Sequence, residues 1–329
     1  MGKKITYHSY FGGKTKFESF INPVIPQNFK TYLEPFSGSF AVYFLINLPD
    51  SCKNIIYNDI NKDQVNLFEC SRTYDKFRKI LINSLEDGLL YCPEKSFEKK
   101  KEFYKKMYYD LKKSNFRNDD FIIPDYNRAT LYSFLLTSAF SSCSYTAAGF
   151  SGFNKERMKL QSLIKKLDNP YIQEMFSKIT SVENLDFETI INKYDSDDTF
   201  IYLDPPYASF DDKGVDSGKR SGWYGTSDVF DKECHVKLLK ILQNTKSRWA
   251  LSYYYFEQLE QFLPKDKYFW REKEFFRSSA SFSETKSQKG KELLITNYNP
   301  SEFTDKSVKE PKVIKIPTNK PISDSFWNE

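Results

Sequence analysis

The chain has few histidines and cysteines, the residues that bind zinc and form disulfide bonds. Its 329 residues include two histidines and five cysteines, none in a CxxC arrangement: His8, His235, Cys52, Cys70, Cys92, Cys143 and Cys234. Zinc sites and disulfide frameworks need such residues at closer, regular spacing. The sequence therefore argues against a zinc site and a disulfide scaffold, and it fits a reducing compartment.

Long apolar runs are also missing. No apolar stretch approaches the roughly 20 residues that a membrane-spanning helix needs. The N-terminal segment MGKKITYHSYFGGK has no apolar core of the kind that a signal peptide carries, and Tyr7 is unfavourable for myristoylation at Gly2. A cytoplasmic protein is therefore expected.

Short β-branched or apolar runs alternate with helical patterns along the chain. The predicted strands cover 30–36, 54–59, 178–187, 198–207, 248–256 and 291–298. Apolar residues spaced three and four apart predict helices between them, for example over 41–48 and 232–243. Strands that alternate with helices predict an α/β fold with a mainly parallel sheet.

A long segment interrupts this alternation. Residues 65–175 are mostly helical in pattern and rich in lysine and tyrosine, which indicates an insertion into a sheet domain formed by 1–64 and 176–300. Residues 301–329 are polar and form a C-terminal tail. The net charge of +5 is mild, but lysines interleave with aromatic residues over 95–117. That segment indicates either a solvated helix face or a surface that contacts nucleic-acid phosphates.

Four of the predicted strands end on an acid: Glu34, Asp59, Asp186 and Asp204. Ligands of open parallel sheets bind beyond the carboxyl ends of the strands, so these acids are expected to converge there. Helix capping is the alternative role for each of them. A crevice lined with carboxylates suits a ligand that has hydroxyls, amines and a positive charge, such as S-adenosylmethionine. The turn EPFSGSF (34–40) would let the backbone approach that ligand at Gly38.

The segment DPPY (204–207) carries the most specific signal. Its prolines fix φ and remove backbone donors, so that Asp204 and the Pro205 carbonyl can accept hydrogen bonds from one amino group. A nucleobase amine is a poor nucleophile, because its lone pair is delocalised into the ring. Holding both of its hydrogens favours a pyramidal nitrogen aimed at a methyl donor. Tyr207 offers a flat face for the base; a plain Pro-Pro turn is the alternative interpretation.

Together these segments resemble the Dam-type N6-adenine DNA methyltransferases of the α class, the D12 family. The resemblance covers YFGGK (10–14), EPFSGSF (34–40), YNDINKDQVNLF (57–68) and DPPY (204–207), and more weakly NLDF (184–187), 227–242 and KELLITNY (291–298). Cofactor motifs precede the insertion and DPPY follows it, which is the α-class order. The resemblance implies a Rossmann-like, S-adenosylmethionine-dependent methyltransferase sheet with an inserted, mainly helical target-recognition domain over 65–175.

The resemblance also assigns roles to residues. It implies catalysis by Asp204, Pro205, Pro206 and Tyr207. It implies that Asp59 holds the cofactor ribose and that Asp186 accepts from the cofactor's adenine amino group. The complete set of implied cofactor contacts is Tyr10, Gly13, Lys14, Glu34, Phe36, Gly38, Ser39, Asp59, Asp186, Phe187 and Asp204. The loop 209–227 would close over an extruded base, with Lys213, Lys219 and Arg220 as candidate phosphate contacts.

Two departures from the family pattern stand out. Phe40 occupies the second glycine position of the FxGxG motif; the turn is expected to survive, with Ser39 supplying a polar contact. Gly-Phe-Asn (152–154) is kept in the insertion, but the residues just before it, 141–151, include no arginine. Arginine is the commonest reader of guanine, so a GATC target does not follow.

The resemblance implies a site-specific DNA methyltransferase that flips an adenine out of a short duplex sequence and methylates its N6 without a metal. N4-cytosine methylation stays open, although cytosine enzymes usually carry serine in place of Asp204. An inactive DNA-binding subunit of a restriction–modification complex is the other alternative. Double-stranded DNA is the expected partner and a cognate restriction endonuclease a candidate one. A monomer or weak dimer in a bacterial or phage-infected cell is expected.

Overall fold

One mixed sheet organises the part of the chain that the structure describes. The computed structural model describes residues 4–8, 14, 17–114, 120–140, 148–207, 230–256, 258–276 and 289–303. Nine strands lie in these ranges: β1 (Thr31–Glu34), β2 (Asn54–Asn58), β3 (Phe153–Asn154), β4 (Arg157–Met158), β5 (Ser181–Glu183), β6 (Thr199–Leu203), β7 (Arg248–Tyr253), β8 (Phe269–Phe276) and β9 (Lys289–Thr296). Strands β3 and β4 form a separate hairpin.

The other seven strands form the sheet in the order β5-β2-β1-β6-β7-β9-β8. The first five are parallel, whereas β9 runs antiparallel to β7 and to β8. The chain therefore proceeds outward from β1 in one direction, through β2 and β5, and then returns to continue from β6 in the other. The predicted α/β fold with a Rossmann-like sheet is confirmed.

Helices cover both faces of the sheet. Within the described residues they are α1 (Glu18–Ile21), α2 (Ala41–Leu45), α3 (Lys62–Arg72), α4 (Tyr74–Glu86), α5 (Phe97–Lys113), α6 (Tyr126–Ser138), α7 (Leu160–Leu167), α8 (Pro170–Lys178), α9 (Phe187–Tyr194), α10 (Lys232–Asn244), α11 (Leu259–Phe262) and α12 (Pro300–Phe303). Successive strand residues point to opposite faces. Tyr32 and Tyr202 accordingly pack with α2 and α3, and Leu33 and Leu203 pack with α9 and α10.

Each predicted strand overlaps an observed one, but β8 was not predicted. Its sequence FWREKEFF places four charged residues in a row between aromatic pairs, which hides the apolar pattern of a strand. Strand β8 lies at the edge of the sheet and pairs along its whole length with β9, so this pairing, and not local propensity, sets its conformation.

Residues 65–175, as far as the structure describes them, supply helices and the β3–β4 hairpin but no strand of the seven-stranded sheet. The ion pair between Arg128 on α6 and Asp63 on α3 ties these helices to the sheet region, at 2.5 Å between Nε and Oδ1. Tyr132 donates to Gln64 Oε1 at 2.9 Å beside it. Helices α3 and α8 cross the two boundaries predicted for the insertion, and α12 crosses the one predicted for the tail.

In the described ranges, no helix combines the length and the apolar character that crossing a bilayer requires.

Candidate active site

The direction of the sheet order changes between β1 and β6, which are adjacent. Ligands of open α/β sheets bind beyond the carboxyl ends of the strands at such a switch point. Three connections meet there: residues 35–40 after β1, 59–61 after β2 and 204–207 after β6. The predicted site residues on these connections are therefore close to one another.

Three hydrogen bonds fix the turn after β1 at Gly38. Its N–H donates to Asp59 Oδ2 at 2.8 Å, and its carbonyl accepts from the Tyr57 hydroxyl at 2.9 Å and from Gln64 Nε2 at 2.8 Å. Gly38 has φ 49°, a conformation in which glycine has no Cβ penalty. Ser37 joins the same turn to β2, because its hydroxyl accepts from Asn58 N–H and donates to Glu34 O. The turn presents Phe36 and the Gly38 backbone at the switch point.

The turn is retained although Phe40 stands at its second glycine position. Phe40 adopts the left-handed conformation, with φ 54° and ψ 30°, that a glycine would adopt without strain. Such a conformation costs about 1–3 kcal/mol for a residue with a Cβ. The ring is fully buried, stacks on Tyr43 at 4.5 Å and meets Tyr57 edge-on at 5.2 Å, and this burial offsets the strain. Ser39 beside it is also buried.

Asp59 follows β2 and accepts two backbone hydrogen bonds. Its Oδ2 takes the Gly38 N–H and its Oδ1 takes the Asn61 N–H, each at 2.8 Å. Burial raises the pKa of Asp59 to about 6, against the lowering effect of these two bonds. Each carboxylate oxygen has a second lone pair. Asp59 can therefore still accept hydrogen bonds from hydroxyl groups of a ligand.

Glu34 points into the protein, towards α2. Its Oε1 accepts from the Tyr32 hydroxyl at 2.6 Å and from the Tyr43 N–H, in the first turn of α2, at 3.1 Å. The cap residue Phe40 has no side-chain oxygen, so Glu34 serves as the acceptor at this helix start. Burial raises the pKa of Glu34 well above its ordinary value, partly offset by these hydrogen bonds and increased again by Asp204. Glu34 therefore has a structural role that needs no ligand.

Asp186 caps α9, which is the alternative role predicted for the acids at strand ends. Its Oδ1 accepts from the N–H groups of Glu188 and Thr189 at 3.0 Å, and its Oδ2 accepts from the Thr189 hydroxyl at 2.5 Å. Burial acts to raise its pKa, but these hydrogen bonds outweigh it and the pKa of Asp186 is lowered. The next residue, Phe187, packs against Phe36 and Phe230 with ring centroids 5.7 and 5.6 Å apart. This aromatic group joins the β1 turn to α9.

Asp204 lies directly after β6 in a cluster of four polar side chains. Its Oδ1 accepts from Lys14 Nζ at 2.8 Å and from the Tyr207 hydroxyl at 2.9 Å. Glu292 on β9 approaches the same two groups, with Oε1 2.5 Å from the Tyr207 hydroxyl and 3.3 Å from Lys14 Nζ. Lys14 and Glu292 are almost fully buried, whereas Asp204 is 22% exposed. Asp204 is thus ion-paired, yet its side chain remains partly exposed.

Other groups contact both the hydroxyl and the ring of Tyr207. The Lys14 ammonium lies 4.8 Å from the ring centroid, and the Tyr254 ring centroid lies at 4.3 Å with a tilt of 53°. Pro205 before it is buried and Pro206 is partly exposed. A base that stacks on Tyr207 would therefore have to displace Lys14 or Tyr254 from the ring.

Several predicted residues lie outside the described residues. These are Tyr10 and Gly13 in the N-terminal motif and Lys213, Lys219 and Arg220 in the loop after DPPY. Within the described residues, no group of three or more histidine, cysteine or acidic side chains is arranged to hold a metal ion.

Glu292 is the site residue that the sequence analysis missed. The segment KELLITNY was predicted as a strand and as a weak part of the family resemblance, but no role was predicted for its acid, because a single acid in a strand has no local signal. Glu292 lies two positions before Leu294 and so shares its strand face, which could have suggested a buried acid. Its partners are distant in sequence: Tyr207 is 85 positions away.

Comparisons with known proteins indicate one kind of enzyme. Residues 10–289 match the family model described as D12 class N6 adenine-specific DNA methyltransferase. The chain is 31% identical over 204 residues to "Type II methyltransferase M.MjaIII" of Methanocaldococcus jannaschii, which covers 60% of this chain and 66% of that protein. It is 24% identical over 241 residues to "Type II methyltransferase M.CviBI" of Paramecium bursaria Chlorella virus NC1A. That match covers 72% of this chain and 78% of the viral protein. The first match thus spans just under two thirds of the relative's length.

Proposed function

The chain belongs to the D12 class N6 adenine-specific DNA methyltransferase family, a family of enzymes, and on this premise we propose that it transfers a methyl group from S-adenosylmethionine to adenine N6 within a short duplex sequence. The observation that carries the proposal is the position of Asp204-Pro205-Pro206-Tyr207. This segment follows β6 at the switch point, beside the Gly38 turn and Asp59. A plain proline turn would not require a buried lysine on its acid.

The residues around the Gly38 turn fit S-adenosylmethionine by their chemistry. Asp59 offers lone pairs for ribose hydroxyls, and the missing side chain of Gly38 leaves its backbone open to close approach. Phe36 and Phe187 offer an apolar aromatic wall. When bound, the cofactor supplies a methyl group on a positively charged sulfur. The remaining contacts of this proposed site are Tyr10, Gly13, Lys14, Ser39, Asp186 and Asp204, whereas Glu34 supports the turn from inside the protein.

Asp204 and the Pro205 carbonyl carry the proposed reaction by orientation and electrostatics. Each accepts one hydrogen of the N6 amine, so the nitrogen lone pair is directed away from the ring and towards the methyl donor. The target base leaves the duplex stack at a cost of a few kcal/mol. Stacking on Tyr207, after Tyr254 has moved aside and with Lys14 in place, and phosphate contacts offset this cost. No covalent intermediate is needed.

The cofactor role of Asp186 can be separated from its capping role by Asp186→Asn. Asparagine is an equally good helix cap, but its amide nitrogen cannot accept a hydrogen bond from an adenine amino group. We expect cofactor binding to weaken by about five- to tenfold with an unchanged melting temperature of the free protein. Isothermal titration calorimetry and thermal unfolding measure the two quantities. Unchanged cofactor affinity would leave Asp186 as a cap only.

We further propose that the insertion recognises DNA and that α5 contacts its phosphates. The aromatic residues of α5 face inward: Tyr104 and Tyr108 are buried, and Phe97 and Tyr104 pack against Phe153 of the β3–β4 hairpin. The outer face is exposed and carries Lys99, Lys100, Lys101, Lys105, Lys106 and Lys113. The interleaving seen in the sequence therefore separates into a core side and a basic side.

The triple variant Lys101→Gln, Lys105→Gln and Lys106→Gln is expected to bind duplex DNA about tenfold more weakly at physiological salt. Its plot of log affinity against log salt should be shallower by about 2.7, because about three fewer counterions are released. The matched control replaces Lys30, Lys178 and Lys246. These lysines are exposed and precede β1, β5 and β7, at the amino ends of the parallel strands and away from the proposed site. Equal losses in both triple variants would contradict a phosphate-binding role for α5.

Mass spectrometry of nucleosides tests the proposed function directly. Plasmid DNA incubated with the protein and S-adenosylmethionine should yield N6-methyladenine. A peak of N4-methylcytosine would overturn the choice of base. No methylated base, despite DNA binding, would favour the inactive DNA-binding subunit. Modification-sensitive sequencing of the same DNA would give the recognition sequence, and a cognate restriction endonuclease would then be expected to cut that sequence.

A further inference from the structure

We propose that Glu292 is a positioning residue of the methyl-transfer site: it binds the Lys14 ammonium and the Tyr207 hydroxyl, so that Asp204 is held by one oxygen and keeps the other for the target amine. The inference rests on the proposed function, because it gives Glu292 a part in that same reaction.

The contacts of the four side chains form a closed ring. Lys14 Nζ contacts Asp204 Oδ1 and Glu292 Oε1 at 2.8 and 3.3 Å, and the Tyr207 hydroxyl contacts the same two oxygens at 2.9 and 2.5 Å. Both donors are therefore shared between two carboxyl groups. Among the described residues, the donors to Asp204 all bind Oδ1, which leaves Oδ2 for a ligand.

The number of hydrogens defines two states of this ring. Lys14 supplies a hydrogen to each carboxyl group, and Tyr207 has a single hydrogen for its two contacts. The fourth contact is a hydrogen bond only when a carboxyl group carries a proton. Burial raises the pKa of Glu292 above its ordinary value, against the lowering effect of Lys14, so Glu292 can hold that proton. Burial and the charges of Asp204 and Glu292 raise the pKa of Tyr207, which keeps its phenol protonated.

The two states differ in how strongly Lys14 is bound to Asp204. With Glu292 ionised, the ammonium is attracted by two carboxylates, and its hold on Asp204 is weakened. With Glu292 protonated, Asp204 is the single anionic partner within the ring, and its power to accept a hydrogen bond from an amine is reduced. The ionised state is therefore the one suited to hold a target amine.

The charged and titratable groups around Glu292 come from several elements. Lys273 on β8 is its cross-strand partner, and the Lys273 ammonium lies over the Phe17 ring at 5.2 Å. Tyr202 on β6 bonds Ser252 with its hydroxyl. Among the described residues, the charged and titratable groups around Glu292 include Lys14, Tyr202, Asp204, Tyr207 and Lys273. Lys14 and Tyr207 contact its carboxyl group.

Glu292→Gln tests the role, because glutamine keeps the shape and an acceptor oxygen but not the charge. We expect its single-turnover methyl-transfer rate to fall about ten- to thirtyfold, with cofactor and DNA affinities within about twofold of wild type. The wild-type rate should decline as the pH falls through the pKa of Glu292. At saturating cofactor, where the protonation of Asp59 does not limit the rate, the variant should lack this decline.

Three further measurements guard against a merely structural effect. Glu272→Gln removes the ion pair with Lys291 between the same two strands, at 2.8 Å, and should leave the rate unchanged. The loss from Glu292→Gln should be smaller in a Lys14→Met background than in wild type, because Glu292 acts largely through Lys14. Should the glutamine variant not fold, Glu292→Asp keeps the charge but withdraws the oxygen from both donors, and it should lose rate similarly.

The outcomes separate this inference from the proposed function. An active wild type with a Glu292→Gln variant of equal rate and equal pH profile would overturn the role of Glu292 alone. Independent, multiplicative losses with Lys14→Met would overturn it as well. A wild-type protein that methylates no DNA would instead overturn the proposed function.

Discussion

The Asp204→Ala variant is expected to transfer methyl groups at least about a thousandfold more slowly than wild type. The substitution removes one of the two acceptors that hold the target amine, so the nitrogen lone pair stays delocalised into the base. It also removes one of the carboxylate partners of the buried Lys14, the other being Glu292. Single-turnover transfer of labelled methyl groups to duplex DNA measures the rate, and DNA affinity should stay within a few-fold of wild type.

Asp198→Ala is the matched control for this loss. Asp198 directly precedes β6, whereas Asp204 directly follows it. Asp198 pairs with Lys30 at 2.7 Å, much as Asp204 pairs with Lys14 at 2.8 Å. Asp198 is exposed and lies at the amino end of β6, the end opposite to Asp204. We expect wild-type transfer from Asp198→Ala. Full activity in Asp204→Ala would rule out the mechanism proposed for the amine.

The Asp59→Ala variant is expected to bind the cofactor about a hundredfold more weakly, because two hydroxyl groups lose a charged acceptor. Asp50→Ala is its control, since Asp50 precedes β2 and is exposed. Calorimetric titration with S-adenosylmethionine measures both variants. Wild-type affinity in Asp59→Ala would remove this residue from the cofactor site.

The raised pKa of Asp59 also predicts how cofactor affinity depends on pH. Its pKa is raised to about 6, so the carboxylate is the prevailing form above that value and is progressively protonated below it. Affinity should therefore be constant above about pH 7 and fall by up to about tenfold per unit below 6. The folded state gains stability from this group in acid and loses that contribution as the pH rises through about 6. Asp59→Asn should bind weakly at all pH values, and a wild-type affinity that does not change down to about pH 5 would contradict the assignment.

The sheet and the family could be predicted because their signals are local. Buried parallel strands appear as short apolar runs, and Asp204-Pro205-Pro206-Tyr207 has chemistry that few other functions require. The family indicated by the motifs is confirmed by the match over residues 10–289. Phe40 shows how far local reasoning reaches: the turn is retained, but its reliance on ring burial to offset a positive φ is a tertiary effect.

The arrangement of the carboxylates could be predicted only in part. Glu34 lies two positions after Tyr32 and so shares its inward face, which places it against α2. Asp186 has the spacing of a helix cap, with Thr189 three positions on. The pairing of Lys14 with Asp204 spans 190 positions, and that of Lys14 with Glu292 depends on β9 lying beside β7. These contacts are consequences of the fold.

A crystal structure with a non-reactive cofactor analogue and duplex DNA tests the central claim most directly. The account predicts an adenine outside the helix stack, with its N6 about 3 Å from both Asp204 Oδ2 and the Pro205 carbonyl oxygen, and with Lys14 still between Asp204 and Glu292. A target base whose amine is held by other residues, while Asp204 contacts only Lys14 and Tyr207, would contradict it.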